Sequence, residues 1–300
     1  MRFTRILTKT LAFVVLFFIQ TTAADKVAEA MNPFFDPSVL DEFKKSINYS
    51  QLVARLPQRS SLFIDWHQGL EQVVVQGKRW TRLKDTVPSI VGSHHGILST
   101  NYVNDDGVYI SVKAHVFSSG YQQSVFDYML KLMASTSFPK VPFAHHANGP
   151  GDSYFAAPQI VDKKAESASY VLLGNVILVI DTADMALSVR DFTCEYVSTI
   201  QNKVKVEPKY LPQPFSASSS QKQLKTGDSL AIVFHAKQAE KIQTAIDADT
   251  IDGKFTLTEK TAAGIKLEAQ RPGEHEITVR YLDVDTLYSN LVKLEIKVVP

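Results

Sequence analysis

Two stretches of the chain place an alternating strand pattern in front of a helical one. Between residues 107 and 117, apolar and polar side chains alternate as in a strand with one buried face. The apolar positions are Val108, Ile110, Val112, Ala114 and Val116, and the polar ones are Tyr109, Ser111, Lys113 and His115. A capping box at Ser119 and Gln122 then introduces a helix predicted over about 120–135. Its apolar positions are Val125, Met129, Leu132 and Met133.

The same order recurs further along the chain. Gly174 precedes an apolar strand over 175–180, and a second helix is predicted over about 183–203. Its inward positions are Val189, Phe192, Tyr196, Val197 and Ile200. With strands predicted over 61–66 and 72–76 and a short helix over 37–47, these patterns indicate an α+β domain. The 67-residue spacing from Gly107 to Gly174 predicts two similar units, with the helices packed on one face of the sheet.

The C-terminal part is all-β by pattern. Ile277, Val279 and Tyr281 share one face of a strand over 276–284, and the last strand alternates over 291–299. Turn signals at 252–253 and 271–273 separate the predicted strands. Short strands at a spacing of about 8–12 residues predict a β-sandwich.

A proline- and serine-rich segment separates the two parts. Pro208, Pro212 and Pro214 are followed by a serine-rich run over 216–220. Prolines stiffen a chain and serines loosen it, so the composition predicts a linker. The predicted organisation is an α+β domain over 25–205, a linker over 206–222 and a β-sandwich over 223–300.

The turns of the C-terminal part resemble those of bacterial immunoglobulin-like domains. The resemblance rests on residues 224–230, which read LKTGDSL, and on residues 271–279, which read RPGEHEITV. In that family a Pro-Gly turn leads into the alternating strand that closes the sandwich. The resemblance therefore implies an immunoglobulin-like fold and a spacer, adhesion or docking role, usually without catalysis.

Residues 1–24 follow the three-part pattern of a secretory signal peptide. Arg2, Arg5 and Lys9 give a positive start, an apolar run covers 11–19, and small residues lead up to Ala24. A membrane-spanning helix needs about 20 apolar residues, more than twice the length of this run. We expect export, with the mature protein periplasmic or secreted after cleavage near Ala24 and without a transmembrane anchor.

Charge and cysteine content narrow the function classes. Loss of residues 1–24 removes three of the 32 basic side chains and none of the 31 acidic ones, which leaves a net charge of about −2. This balance argues against a nucleic-acid-binding protein with a dominant basic field. The single cysteine, Cys194, excludes an internal disulfide and, far from the cleavage site, a lipid anchor. It is interpreted as a partly buried structural thiol within a helix.

Histidines are the candidates for a metal site. His94 and His95 form one pair in a glycine-containing loop, and His145 and His146 form another. Imidazoles from both loops could hold Zn²⁺ or Cu²⁺. Because adjacent loop residues point apart, the alternative is two solvent-exposed or turn-stabilising pairs. His115, on the polar face of its strand, is placed for a ligand bound across the sheet, with a merely solvated side chain as the alternative.

The segment over 148–152, which reads NGPGD, has the most site-like composition in the chain. Its glycines permit tight turns and close approach of a partner to the backbone. The candidate ligand-binding side chains in and around it are Phe143, His145, His146, Asp152 and Tyr154. Aromatic groups beside polar ones suit contact with a carbohydrate or a peptide. The alternative is an ordinary connecting loop.

Catalytic motifs occur only as fragments. S-x-x-K at 137–140, S-x-N at 99–101 and K-T-G at 225–227 lie in the wrong order and context for serine penicillin-recognising enzymes. We therefore predict a non-catalytic exported binding or accessory protein of the cell envelope, without a resident cofactor, whose partner is an envelope protein or a glycan. The alternatives are a metal-binding protein or metal-dependent enzyme using the histidine pairs, and a structural component of envelope assembly.

Overall fold

The structure is a computed structural model that describes residues 37–57, 62–83, 88–91, 95–117, 122–136, 141–203, 215–236 and 238–300. The predicted signal peptide over 1–24, the capping residue Ser119 and the candidate metal ligand His94 lie outside the described residues. Among the described helices, none is both long enough and apolar enough to cross a bilayer.

Nine described strands of the N-terminal part form one antiparallel sheet. They are β1 (Gln72–Val75), β2 (Lys78–Arg82), β3 (Ser89–Val91), β4 (His95–Asn104), β5 (Tyr109–Phe117), β6 (Ala144–His145), β7 (Ser153–Pro158), β8 (Glu166–Leu173) and β9 (Val176–Asp181). The order across the sheet is β1-β2-β4-β5-β9-β8-β7-β6, and β3 pairs with β4. The second strand–helix unit therefore lies beside the first, because β5 pairs directly with β9.

Helices cover both faces of this sheet. They are α1 (Pro37–Ser46), α2 (Tyr49–Arg55), α3 (Gln122–Thr136) and α4 (Arg190–Lys203). A first core, on what we call the inner face, contains Val171, Leu173, Leu178 and, from α4, Phe192 and Tyr196. A second core, on the outer face, contains Leu172, Ile177 and, from the other helices, Leu40, Phe126 and Met129. The α+β prediction is confirmed in its coarse form, with antiparallel sheets.

The prediction that the helices lie on one face of the sheet is wrong. Alternate residues of a strand point to opposite faces, and residues 170–180 are apolar on both. Both faces of β8 and β9 therefore need apolar cover, as in central strands of layered folds. The two strand–helix units do recur, but α3 packs on the outer face and α4 on the inner face, so they do not repeat one arrangement.

Three predicted element bounds also change. The helix predicted from about residue 183 begins at Arg190, because the Asp184 amide donates to Thr182 Oγ1 at 3.1 Å and the Ala186 amide to Asp184 Oδ1 at 2.8 Å. Such side-chain bonds hold the backbone in turns. The strand predicted over 61–66 is reduced to a single bridge at Ile64. The segment after α1, for which no helix was predicted, contains α2, entered through Asn48 in the left-handed conformation.

The C-terminal part consists of two four-stranded sheets that share a third core. Their strands are β10 (Ser216–Ser219), β11 (Gln223–Lys225), β12 (Ser229–His235), β13 (Ile242–Ile246), β14 (Phe255–Thr261), β15 (Gly264–Ala269), β16 (Gly273–Asp283) and β17 (Ser289–Val299), with a short helix α5 (Ala248–Ile251). The orders are β10-β12-β15-β14 and β11-β17-β16-β13. Leu230 and Leu267 of one sheet and Ile277 and Ile296 of the other enter the shared core.

The C-terminal end of the predicted linker belongs to these sheets. Phe215 is buried in the third core, and β10 pairs with β12, so the serine-rich run is a strand. Its alternation explains this, because Ala217 packs against the core while Ser216 and Ser218 are exposed. The linker prediction is therefore wrong for residues 215–222, and residues 204–214 lie outside the described part of the chain.

A hairpin tip joins the two parts. Leu282 and Leu287, on either side of the β16–β17 turn, are fully buried in the first core of the N-terminal sheet. The Trp66 amide donates to the Asp285 carbonyl at 2.9 Å across the same junction. A Cβ on Gly96 would lie 2.7 Å from the Leu287 carbonyl oxygen, so this close approach requires glycine. The C-terminal part is thus anchored on the sheet.

Candidate functional site

The aromatic side chains of the predicted binding loop are packed into the fold. The Phe143 ring meets Tyr170 edge-on at a centroid distance of 4.9 Å, and the His145 ring lies 5.1 Å from Phe155. Partial burial, with the neighbouring His146 second, lowers the pKa of His145. Phe143 therefore adds to the second core, and His145 lies on one of its phenylalanines.

Tyr154 and Asp152 hold the same loop to the sheet. Tyr154 is buried, and its hydroxyl donates to the Glu166 carboxylate, which also accepts from Arg190 Nη1 at 2.8 Å. Burial, reinforced by this carboxylate, raises the pKa of Tyr154. Asp152 Oδ2 accepts the Gly174 amide at 2.7 Å, and the His146 ring lies 5.8 Å from Tyr154. These contacts favour the connecting-loop interpretation, with Tyr154 out of reach of a ligand.

The predicted metal site does not assemble from the two histidine pairs. His95 lies on β4 and His145 on β6, and these strands are five steps apart in the sheet order. At about 4.8 Å per step the separation is about 24 Å, so the two imidazoles cannot share an ion. Within the described ranges, which exclude His94, no group of three potential metal-binding side chains occurs.

The structure instead brings His95 next to His115. Their ring centroids are 5.5 Å apart, and His95 stacks on Phe117 at 4.6 Å. Tyr128 of α3 lies over the pair, with its hydroxyl 3.3 Å from His95 Nε2. His115 is 4% exposed under α3, so it is not placed for a ligand bound across the sheet as predicted, and the alternative of a solvated side chain is wrong as well. The sequence placed His115 on the correct face of its strand, but the cover by α3 depends on a contact between distant elements.

Burial also sets the charge state of this histidine cluster. The pKa of His115 lies well below its ordinary value because of burial, with His95 and Lys113 acting in the same direction. Burial raises the pKa of Tyr128 to about 12. The Nδ1 atom of His115 has no hydrogen-bond partner among the described residues. His115 is therefore neutral at pH 7 and behaves as a packing residue.

Part of the outer face of the sheet lies beyond the described side chains of the second core. Tyr109, Ser111 and Lys113 follow one another on this face of β5, and none of them belongs to the second core. Ser111 pairs with Asn101 of β4 on one side and with Asp181 of β9 on the other. Tyr109 is 56% exposed, although its backbone is fixed by the Thr182 hydroxyl, which donates to its carbonyl at 2.9 Å. We call Asn101, Tyr109, Ser111, Lys113 and Asp181 the open face.

Two opposite charges on the open face lack direct partners. Lys113 and Asp181 are partly buried, yet neither side chain makes a hydrogen bond or an ion pair with any described residue. Burial lowers the pKa of Lys113 and raises that of Asp181, and the charge of each opposes the shift of the other. Such shifts in a group with unused hydrogen-bonding capacity are typical of functional sites. The sequence missed Asp181, because only the β5–β9 pairing places it beside Ser111.

Cys194 shows no sign of nucleophilic chemistry. It is exposed on α4, which corrects the predicted partial burial. Partial desolvation by the surrounding chain still raises the pKa of its thiol, although the positive charge of Arg190 acts to lower it. A thiol with a raised pKa is mostly protonated at pH 7 and is a poor nucleophile.

Comparisons with models of known protein families and with curated proteins find no match to this chain.

Proposed function

We propose that this chain is an exported, non-catalytic binding or accessory protein of the cell envelope, and that the open face is its recognition surface. One observation supports this most strongly. Lys113 and Asp181 are partly desolvated without a direct partner among the described residues, on an antiparallel sheet and beside the exposed ring of Tyr109. Binding sites of folded proteins commonly place a few polar groups on such a rigid scaffold.

The remaining chemistry favours binding over catalysis. His115 is buried and neutral, and the Cys194 thiol has a raised pKa. Among the described residues, neither has the activated partner that general base or nucleophilic catalysis needs. The open face itself offers one ammonium, one carboxylate and neutral polar groups, which suit recognition.

The C-terminal part is proposed to be an immunoglobulin-like docking module. Two four-stranded sheets around one core and the Pro-Gly turn before β16 support this assignment. The buried Leu282 and Leu287 fix this module to the N-terminal sheet, so it would present the open face in a constant orientation. Export rests on the pattern of residues 1–24.

The test compares retention of the tagged protein on the native envelope fraction with that of two double variants. In the first, Lys113→Met and Asp181→Ala remove both charges of the open face. The matched control, Lys293→Met with Glu276→Ala, removes an exposed ion pair of 2.7 Å on the C-terminal part. We expect the first variant to lose at least tenfold in retention and the control to retain it. Equal retention of both variants would contradict the proposal.

Export is tested separately, by N-terminal sequencing of the protein recovered from its own host. A mature terminus at Asp25 is expected. Recovery of the protein with residues 1–24 still attached would overturn the export proposal without affecting the open face.

A further inference from the structure

The open face has the spacing of a small-ligand site. Ser111 lies directly opposite Asp181 in the β5–β9 pairing, and Lys113 is the next residue of β5 on the same face. Lys113 and Asp181 are therefore diagonal neighbours about 7–8 Å apart, with their Cβ atoms somewhat closer. Tyr109 lies two residues before Ser111, about 7 Å along the strand. One aromatic ring, one hydroxyl and one ammonium thus lie in a short row along β5, and one carboxylate lies beside the hydroxyl on β9.

The charges of this row indicate an uncharged ligand. An anion attracted to Lys113 would be repelled by Asp181, and a cation attracted to Asp181 would be repelled by Lys113. The two side chains sum to zero charge, and the separation beyond 4 Å leaves each with free hydrogen-bonding capacity. A ligand that satisfies both must offer an acceptor to the ammonium and a donor to the carboxylate.

Hydroxyl groups meet both demands without charge, because each is one donor and two acceptors. Hydrogen bonds to charged groups are also stronger than those between neutral groups. Neighbouring hydroxyls on one ring could therefore bridge Lys113 and Asp181, with Ser111 and Asn101 available for further hydroxyls. A polyol offers this combination, because its neighbouring hydroxyl groups can donate to Asp181 and accept from Lys113.

Tyr109 supplies the apolar contact that a sugar ring needs. Its side chain is 56% exposed at one end of the row, while its backbone is held by the pairing with β4 on one side and by the Thr182 hydroxyl on the other. An aromatic side chain presents a flat apolar face beside a polar end. A rigid ring of this kind contributes contact area at little cost in conformational entropy.

We propose that the open face binds a neutral glycan, with Tyr109 under one sugar ring and hydroxyls of the next bridging Lys113 and Asp181. This inference rests on the proposed function, because it names the ligand class of the same recognition surface. A zwitterionic small molecule, which could also pair with both charges, is the competing outcome. The two are distinguished by direct titration, because a neutral oligosaccharide carries no charge whereas a zwitterion carries one charge of each sign.

The experiment titrates the purified protein with four neutral oligosaccharides, namely maltohexaose, cellohexaose, chitohexaose and mannohexaose, by isothermal calorimetry. An anionic oligogalacturonate and the zwitterion glycine are titrated in parallel. We expect saturable binding of at least one neutral oligosaccharide. We expect no binding of oligogalacturonate or of glycine. Tyr109→Ala is expected to weaken that binding at least tenfold, and Lys113→Met with Asp181→Ala to abolish it. The control Lys293→Met with Glu276→Ala is expected to leave it unchanged.

The outcomes separate the two proposals. Because Tyr109 is exposed, its variant folds normally, and loss of binding in it cannot reflect a collapsed sheet. Failure of all four oligosaccharides, or binding of glycine or oligogalacturonate instead, overturns the glycan assignment. If the glycan titrations fail but retention on the envelope still depends on Lys113 and Asp181, the open face remains the proposed recognition surface. Only the proposed class of ligand would then be wrong. If retention does not depend on them, the proposed function fails as well.

Discussion

The two ends of strand β5 share one alternating pattern and differ in burial. At one end His115 lies under α3, beside His95 and Phe117, and is buried. At the other end Tyr109 and Ser111 lie on the same face without that cover. Two residues of separation, from Lys113 to His115, divide a packing cluster from the open face. A polar position on a strand therefore shows which face a side chain occupies but not whether that face meets water.

The largest effect is expected from removing the cover. Phe126 of α3 is fully buried in the second core, so Phe126→Ala leaves a cavity and is expected to cost about 3–5 kcal/mol in the free energy of unfolding. Tyr109→Ala at the open end is expected to change that free energy by less than about 0.5 kcal/mol. Urea denaturation of the two variants and the wild type measures both. Similar losses of unfolding free energy in Phe126→Ala and Tyr109→Ala would mean that the two ends of β5 do not differ in packing.

A second prediction uses the charge state of the covered end. The folded-state pKa of His115 lies below the unfolded value of about 6.5, so at lower pH the unfolded chain takes up a proton that the folded chain does not. Stability is therefore lost as the pH falls below about 6.5, by up to about 1.4 kcal/mol per pH unit for this one group.

The variant His115→Leu isolates that contribution from those of other titrating groups. It is expected to flatten the loss of unfolding free energy between pH 6.5 and pH 5 relative to the wild type, because no proton uptake remains at this position. The measurement is urea denaturation at intervals across that range. Parallel pH profiles of the two proteins would show that His115 titrates normally and is not sealed by α3.

Local patterns predicted the elements better than their assembly. The strand predicted over 291–299 is observed as Ser289–Val299, and the helix predicted over 120–135 as Gln122–Thr136, since both depend on periodicity within one segment. The burial of Leu287 in the distant first core and the meeting of His95 with His115 depend on tertiary contacts that periodicity does not encode.

The candidate site shows the same limit. Loop composition drew attention to Tyr154 and Asp152, whose side chains hold the loop in place, because aromatic and polar residues look alike in sequence whether they bind a ligand or their own chain. Lys113 was visible as a polar strand position. Its neighbour Asp181 lies 68 residues later in the chain and required the β5–β9 register.

The smallest change in the free energy of unfolding is expected from removing Lys113 and Asp181 of the open face. Unlike the changes above, it is not expected to be a loss of stability. Partly buried charges without direct partners cost solvation that their mutual attraction across more than 4 Å does not recover. Lys113→Met with Asp181→Ala is therefore expected to leave the free energy of unfolding unchanged or to raise it by about 1 kcal/mol. The exposed control Lys293→Met with Glu276→Ala loses a direct ion pair, worth no more than about 1 kcal/mol, and is expected to be neutral or slightly less stable. Thermal unfolding of both double variants at low salt resolves the difference.

A clear loss of stability in the Lys113→Met with Asp181→Ala variant would show that these two side chains stabilise the fold. Unchanged or increased stability together with lost binding is the expected combination for a pair kept for a ligand, because groups that serve recognition are commonly retained at some expense to stability.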